Sequence, residues 1–154
     1  MTLGDDAIAY WKYHRKRFEW TAVLIVGLAT NLDRAGTPVR RILDVGPAHQ
    51  TLLLEGLFPD AQIDILRVFG AHYAPKRQSV HIPFDLNDAF DREKWPSHDE
   101  QGYDLIILLE VIEHLYTSPQ LIFMYLAEHH GKTAMIDVIL FPSHYSNTSA
   151  VTSR

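Results

Sequence analysis

The chain contains no cysteine, which excludes a disulfide framework and a thiolate nucleophile alike. A zinc site would have to be built from histidine and carboxylates alone. A long apolar run is missing too. Val23 to Ala29 comes nearest, and it falls well short of the roughly 20 residues needed to cross a bilayer. It also lies far inside the chain without a small-residue cleavage signature, so neither a transmembrane segment nor an export signal is expected, and a cytoplasmic location is. Excess positive charge is likewise absent. Fourteen Lys and Arg stand against 19 Asp and Glu, a formal net charge of -5, which argues against nucleic-acid binding by bulk electrostatics. Gly46, Ala48 and Thr51 do not make the G-x-G-x-x-G dinucleotide fingerprint. There is no internal repeat.

What remains is an ordinary globular composition, 47% hydrophobic and 21% charged over 154 residues, enough for one domain with a real core. Its basic residues are unevenly spread: Lys12, Arg15, Lys16, Arg17, Arg34, Arg40 and Arg41 are seven of the 14. They read as a solvated helix face, with an anionic substrate or a membrane surface as the other use of such a face. Asp5 to about Asp33 reads as one long helix. Ile8, Trp11, Phe18, Ala22, Ile25, Ala29 and Leu32 form its apolar stripe, and Gly36 and Pro38 close it. Tyr10, Trp11 and Tyr13 are read as core, or else as a pocket wall.

Beyond that helix, strands and helices alternate. Strands are expected at Arg41–Val45, Gln62–Val68, Ser79–Ile82, Tyr103–Leu109 and Thr133–Phe141, with helices at Thr51–Phe58 and Pro119–His129. In the second helix Leu121, Ile122, Tyr125 and Leu126 face inward and Ser118 caps. Alternation of this kind predicts an α/β fold, a mainly parallel Rossmann-like sheet of about five strands with helices on both faces. The expected organisation is an N-terminal helix over 1–36, the α/β core over 37–142 and a tail over 143–154.

Tyr103 to Leu115, YDLIILLEVIEHL, carries the most information. An apolar run, read as a buried parallel strand, stops at Glu110, and Glu113 and His114 follow. Ligands of open α/β sheets bind beyond the carboxyl ends of the strands, which is where these three residues fall. Two further segments end strands in the same way: LDVG, Leu43 to Gly46, and FDLND, Phe84 to Asp88.

Taken in order, these segments resemble the class I S-adenosylmethionine-dependent methyltransferases, in particular a bacterial subgroup with a long N-terminal helix and an EVIEH segment. The resemblance covers roughly Tyr10 to Glu128. It implies S-adenosyl-L-methionine as cofactor. Asp44, Gly46 and Ala48 would meet its sulfonium end, Asp85 and Leu86 its adenine, and Glu110 and Val111 would border its methionine portion. His114 would face the acceptor as a candidate base. The resemblance further implies methyl transfer to a small-molecule, lipid or sugar-type acceptor. Glu110, Glu113 and His114, with His144, form an alternative divalent-metal set.

The chain departs from the family's pattern at three places. Ala48 and Gln50 stand where glycines are usual, Arg67 stands where an acid would accept hydrogen bonds from the ribose, and the family's C-terminal hairpin is not found. The last point suggests truncation and an exposed sheet edge through which two copies could pair. The alternative function is therefore a catalytically weak or inactive remnant of the fold, acting as a regulatory or binding protein.

Overall fold

The computed structural model describes residues 5–68, 79–97, 101–109, 111–130 and 135–139. Glu110, His144 and the tail 143–154 lie outside that set. The N-terminal segment forms two helices, α1 (Asp5–Tyr13) and α2 (Arg15–Arg34), where one was expected. The break is confined to His14, with φ -97° and ψ 12°. Hydrogen bonds from His14 N–H to Tyr10 O (3.0 Å) and from Phe18 N–H to His14 O (3.1 Å) run through it, so the helical ladder opens at one residue only. Phe18, Thr21 and Ile25 are buried, whereas Ile8 is 41% exposed and Tyr13 85% exposed. Tyr13 is therefore neither core nor pocket wall. At the other end Gly36 takes φ +82°. Its N–H bonds to Asp33 O and that of Thr37 to Leu32 O, both at 2.9 Å, the paired closure of a helix on a left-handed glycine.

The remaining elements are β1 (Arg41–Val45), α3 (His49–Leu57), β2 (Gln62–Arg67), β3 (His81–Pro83), β4 (Leu105–Leu109), α4 (Pro119–His130) and β5 (Met135–Ile139). They build a five-stranded sheet in the order β3-β2-β1-β4-β5, parallel at every pairing. β3 starts later than the expected Ser79, because the Val80 N–H is held by the Asp64 carboxylate at 2.9 Å. Pro83, which has no N–H to give, sits on this outer strand. Ser118 precedes α4 and its carbonyl accepts from Leu121 and Ile122 N–H; its hydroxyl turns to the Gln120 side chain instead of capping the helix.

Side chains alternate across each strand, and both faces of the sheet are covered. On one, Leu43, Val45, Leu66, Ile106 and Leu108 pack with Phe84 and with Ile122, Tyr125 and Leu126 of α4. On the other, Ile42, Ile63, Leu105, Ile107 and Leu109 pack with Ile25 of α2 and Leu54 of α3. Every residue of β4 is buried, which is why its sequence is continuously apolar instead of alternating. The chain runs from β1 outward through β2 to β3, then returns to place β4 on β1's other side. Strand order thus reverses beside β1, and the carboxyl ends of β1 and β4 flank the crevice in which such sheets take ligands.

Candidate functional site

Three loops leave the carboxyl edge of the sheet and touch one another. The first follows β1. Asp44 shares the face of Ile42 by strand alternation, toward α2 and α3, and is fully buried. Thr51 Oγ1 of α3 donates to its Oδ2 at 2.5 Å. Its Oδ1 is buried without a hydrogen-bond partner. Burial disfavours the charged form and pushes the carboxyl up to about 7, against the opposing pull of the Thr51 hydroxyl and of the Gln50 side chain.

Gly46 turns the chain out of β1 with φ +72°, a region open to glycine and costly for other residues. Its N–H donates to Leu66 O at 2.9 Å. A Cβ built there would lie 2.6 Å from Val111 Cγ2, so the missing side chain is what lets the β4 loop close against the β1 loop. Gln50, in a position where the family pattern has glycine, is buried and folds back to donate from Nε2 to Gly46 O at 2.7 Å. It clasps the loop from within α3. Ala48 is exposed and extended, with φ -153° and ψ -142°.

The second loop follows β3. Asp85 accepts the Asn87 N–H at 2.9 Å and so caps a short 3-10 turn, Leu86–Asp88. The Leu86 side chain is buried in the core. Asn87 Oδ1 accepts from Tyr116 N–H at 2.7 Å, which ties this loop to the third. The third follows β4. Val111 is half-buried, and Ile112–His114 form a 3-10 turn in which Glu113 and His114 are exposed. Glu110, just before this turn, lies outside the described residues. Among the described residues no group of three or more His, Cys, Asp or Glu is arranged to hold a metal ion.

The structure therefore brings Asp44, Gly46 and Val111 together and links Asp85 and Leu86 to the same edge through Asn87. His114 stands on the exposed turn, its N–H bonded to Val111 O at 3.1 Å. Arg67 ends β2 half-buried, with Nη2 3.4 Å from His81 Nδ1. Three contributors were not singled out from the sequence: Thr51, which holds Asp44, and Asn87 and Tyr116, which join two loops; Gln50 stood out only as a departure from glycine, and its bond to Gly46 O was not foreseen. Asn87 was visible only as one letter of FDLND, and its partner lies 29 residues on, beyond any local pattern. Near α1, the Tyr10 ring packs on His49 at 4.4 Å and Trp11 on Phe18 at 4.0 Å, so the N-terminal aromatics reach the start of α3. A cleft of about 260 Å³ lies at the other end of α3, lined by residues such as Leu52, Phe58, Pro59 and Ile63. It contains none of the predicted site residues and faces the amino ends of the strands.

The chain matches no protein-family model and no curated protein. Among solved structures it is similar to the MycE methyltransferase from the mycinamycin biosynthetic pathway, in complex with Mg and SAH, at 15% identity and a TM-score of 0.47 over 95% of this chain and 45% of that one. It spans a little under half the length of that neighbour. At such distance the likeness assigns no activity to this chain.

Proposed function

We propose that this chain is a class I methyltransferase domain that uses S-adenosyl-L-methionine to methylate a small-molecule, lipid or sugar-type acceptor. The observation that carries the reading is the buried Asp44 carboxylate with an unpartnered Oδ1, set beside the left-handed Gly46 turn where strand order reverses. A buried acceptor without a donor is costly unless a ligand satisfies it. Away from the ribose, the residues present are compatible with the cofactor. Asp44, Gly46, Ala48, Glu110 and Val111 would hold its methionine and sulfonium portion, and Asp85 with the Leu86 backbone would hold its adenine. When bound, it supplies a methyl group already activated on a sulfonium.

The protein's own contribution is then alignment of the acceptor and, for an alcohol, removal of its proton. His114 is exposed and so open to an acceptor, and an imidazole nitrogen can take up the proton. The second reading, a binding protein that keeps the fold without turnover, is favoured by Arg67: a guanidinium at the end of β2 donates only and cannot accept from ribose hydroxyls.

Calorimetric titration with S-adenosylmethionine and with its demethylated product separates these readings. The methyltransferase reading expects heat and a thermal shift with both ligands, abolished in Asp44→Ala. It also expects turnover that falls in His114→Ala while affinity is kept. Binding without turnover on any acceptor class would select the second reading. No heat and no thermal shift at millimolar ligand would sink both.

A further inference from the structure

Away from the ligand edge, α2 carries a second apolar face. Its inner stripe, Phe18, Thr21 and Ile25, is buried. On the opposite side Trp20, Val23 and Leu24 are 64%, 65% and 46% exposed, and nothing lies within 4 Å of the position a Cβ would take at Gly27. Lys16, Trp20, Val23, Gly27 and Arg34 follow one another at helical spacing on this outer face. Two exposed cations, Lys16 and Arg34, therefore bracket the apolar row. The acids of the helix fall to one side of it, and Glu19 is already paired with Arg15 at 2.6 Å. Charge is segregated as well, since a chain of net -5 presents here a surface edged by cations.

A buried inner stripe together with an exposed apolar outer row is unusual for a helix on a globular core, whose outer face is normally polar. A tryptophan on such a row suits the headgroup level of a bilayer, and lysine and arginine at its ends reach lipid phosphates while their stems cover apolar surface. We propose that the outer face of α2 docks onto an anionic lipid surface, with the helix lying in the plane of the interface. No helix among the described residues is long and apolar enough to cross a membrane, so the contact is with the surface. Charge favours lipid over a second copy of the chain. Two copies packed through this row would set Lys16 and Arg34 against one another, cation against cation.

The test uses the full chain with vesicles of phosphatidylglycerol and phosphatidylcholine, and with phosphatidylcholine alone, read by co-sedimentation and tryptophan emission. Trp20 is the exposed tryptophan, whereas Trp11 and Trp95 are half-buried, so an emission shift on binding reports this face. The chain is expected to sediment with anionic vesicles, to blue-shift, and to be released by salt. Lys16→Glu combined with Arg34→Glu is expected to weaken partitioning by more than about thirtyfold. Trp20→Ser is expected to remove the blue shift, and all three substitutions should leave the thermal unfolding midpoint in place. Failure to sediment with anionic vesicles overturns the proposal, as does binding that these variants leave unchanged. A concentration-dependent dimer that Trp20→Ser abolishes, without vesicle binding, would assign the face to a second copy instead.

Discussion

Asp44 and Asp64 are both fully buried on adjacent strands, one register step apart, with Asp44 opposite Ile65 and Leu43 opposite Asp64. Their surroundings differ completely. Asp64 faces the α4 side and receives Arg41 Nη2 at 3.1 Å, Tyr103 OH at 3.0 Å, Val80 N–H at 2.9 Å and Gln62 Nε2 at 2.9 Å. Arg41 also donates to Gly102 O at 3.0 Å and lies over the Tyr103 ring at 4.8 Å. Asp104 accepts the Arg40 and Arg41 amides at 2.8 Å. This network closes the amino edge of the sheet. Asp44, near the carboxyl edge, has one hydroxyl donor and one unpartnered oxygen. A buried carboxylate that is fully paired serves the fold, and one left partly unpaired retains binding capacity at a cost in stability. The two ends of one sheet thus differ in how completely they pair a buried acid.

The comparison is most severely tested by Asp64→Ala, which takes this carboxylate away from a half-buried guanidinium, a phenol and a backbone amide. Urea unfolding should show a loss of about 4 kcal/mol; a loss under about 1 kcal/mol would falsify the structural role given to Asp64.

The next effect concerns pH. Burial pushes the Asp44 carboxyl up to about 7 in the folded chain, above the ordinary 3.8. Between these two values the unfolded chain has released a proton that the folded chain still holds, so stability falls as pH rises through this window. The slope is about 1.4 kcal/mol per pH unit, or on the order of 4 kcal/mol in total. Asp44→Asn has no proton to lose. Its stability curve from pH 4 to 7 should lack that decline, and a parallel decline in both proteins would show that Asp44 does not cause it.

A smaller loss, about 2 kcal/mol, is expected for Gly46→Ala, from the positive φ and the collision with Val111. Adding Val111→Ala should recover the steric part and leave the backbone part, a coupling readable in a double-mutant cycle. The smallest effect belongs to Asn87→Ala, about 1 kcal/mol for the lost bond to Tyr116 N–H. Its signature is faster amide exchange at Tyr116, with the Asp64 network unaffected. If exchange at Tyr116 stays slow, the two loops are held by something other than Asn87.

Much of the fold was legible in the chain. Alternating strand and helix patterns marked the elements of the sheet, and the unbroken apolar LIILL of β4 marked a strand buried on both faces. The position of Asp44 and Gly46 at a strand end was legible too, since an acid and a glycine interrupt an apolar run there. Other features were hidden for physical reasons. The break at His14 leaves the helical hydrogen bonds on either side intact, and a periodicity of apolar residues passes over it without a mark. Tyr13 carries an apolar ring but sits on the wrong side of its helix for the core. Asp64 is one acid inside an expected strand, and what it does depends on Arg41 and Tyr103, which are 23 and 39 residues away.

By itself the sequence determined period and face: which residues are helical, which are extended, and which side of each element is apolar. Those properties follow from local sterics and the hydrophobic effect acting over a few residues. Only the tertiary structure decided register, and with it which of two equally buried aspartates is saturated and which keeps a free oxygen. It also decided that Gly46 gives way to Val111 and that Asn87 reaches Tyr116. These contacts join residues far apart in the chain, and their geometry exists only once the strands are aligned.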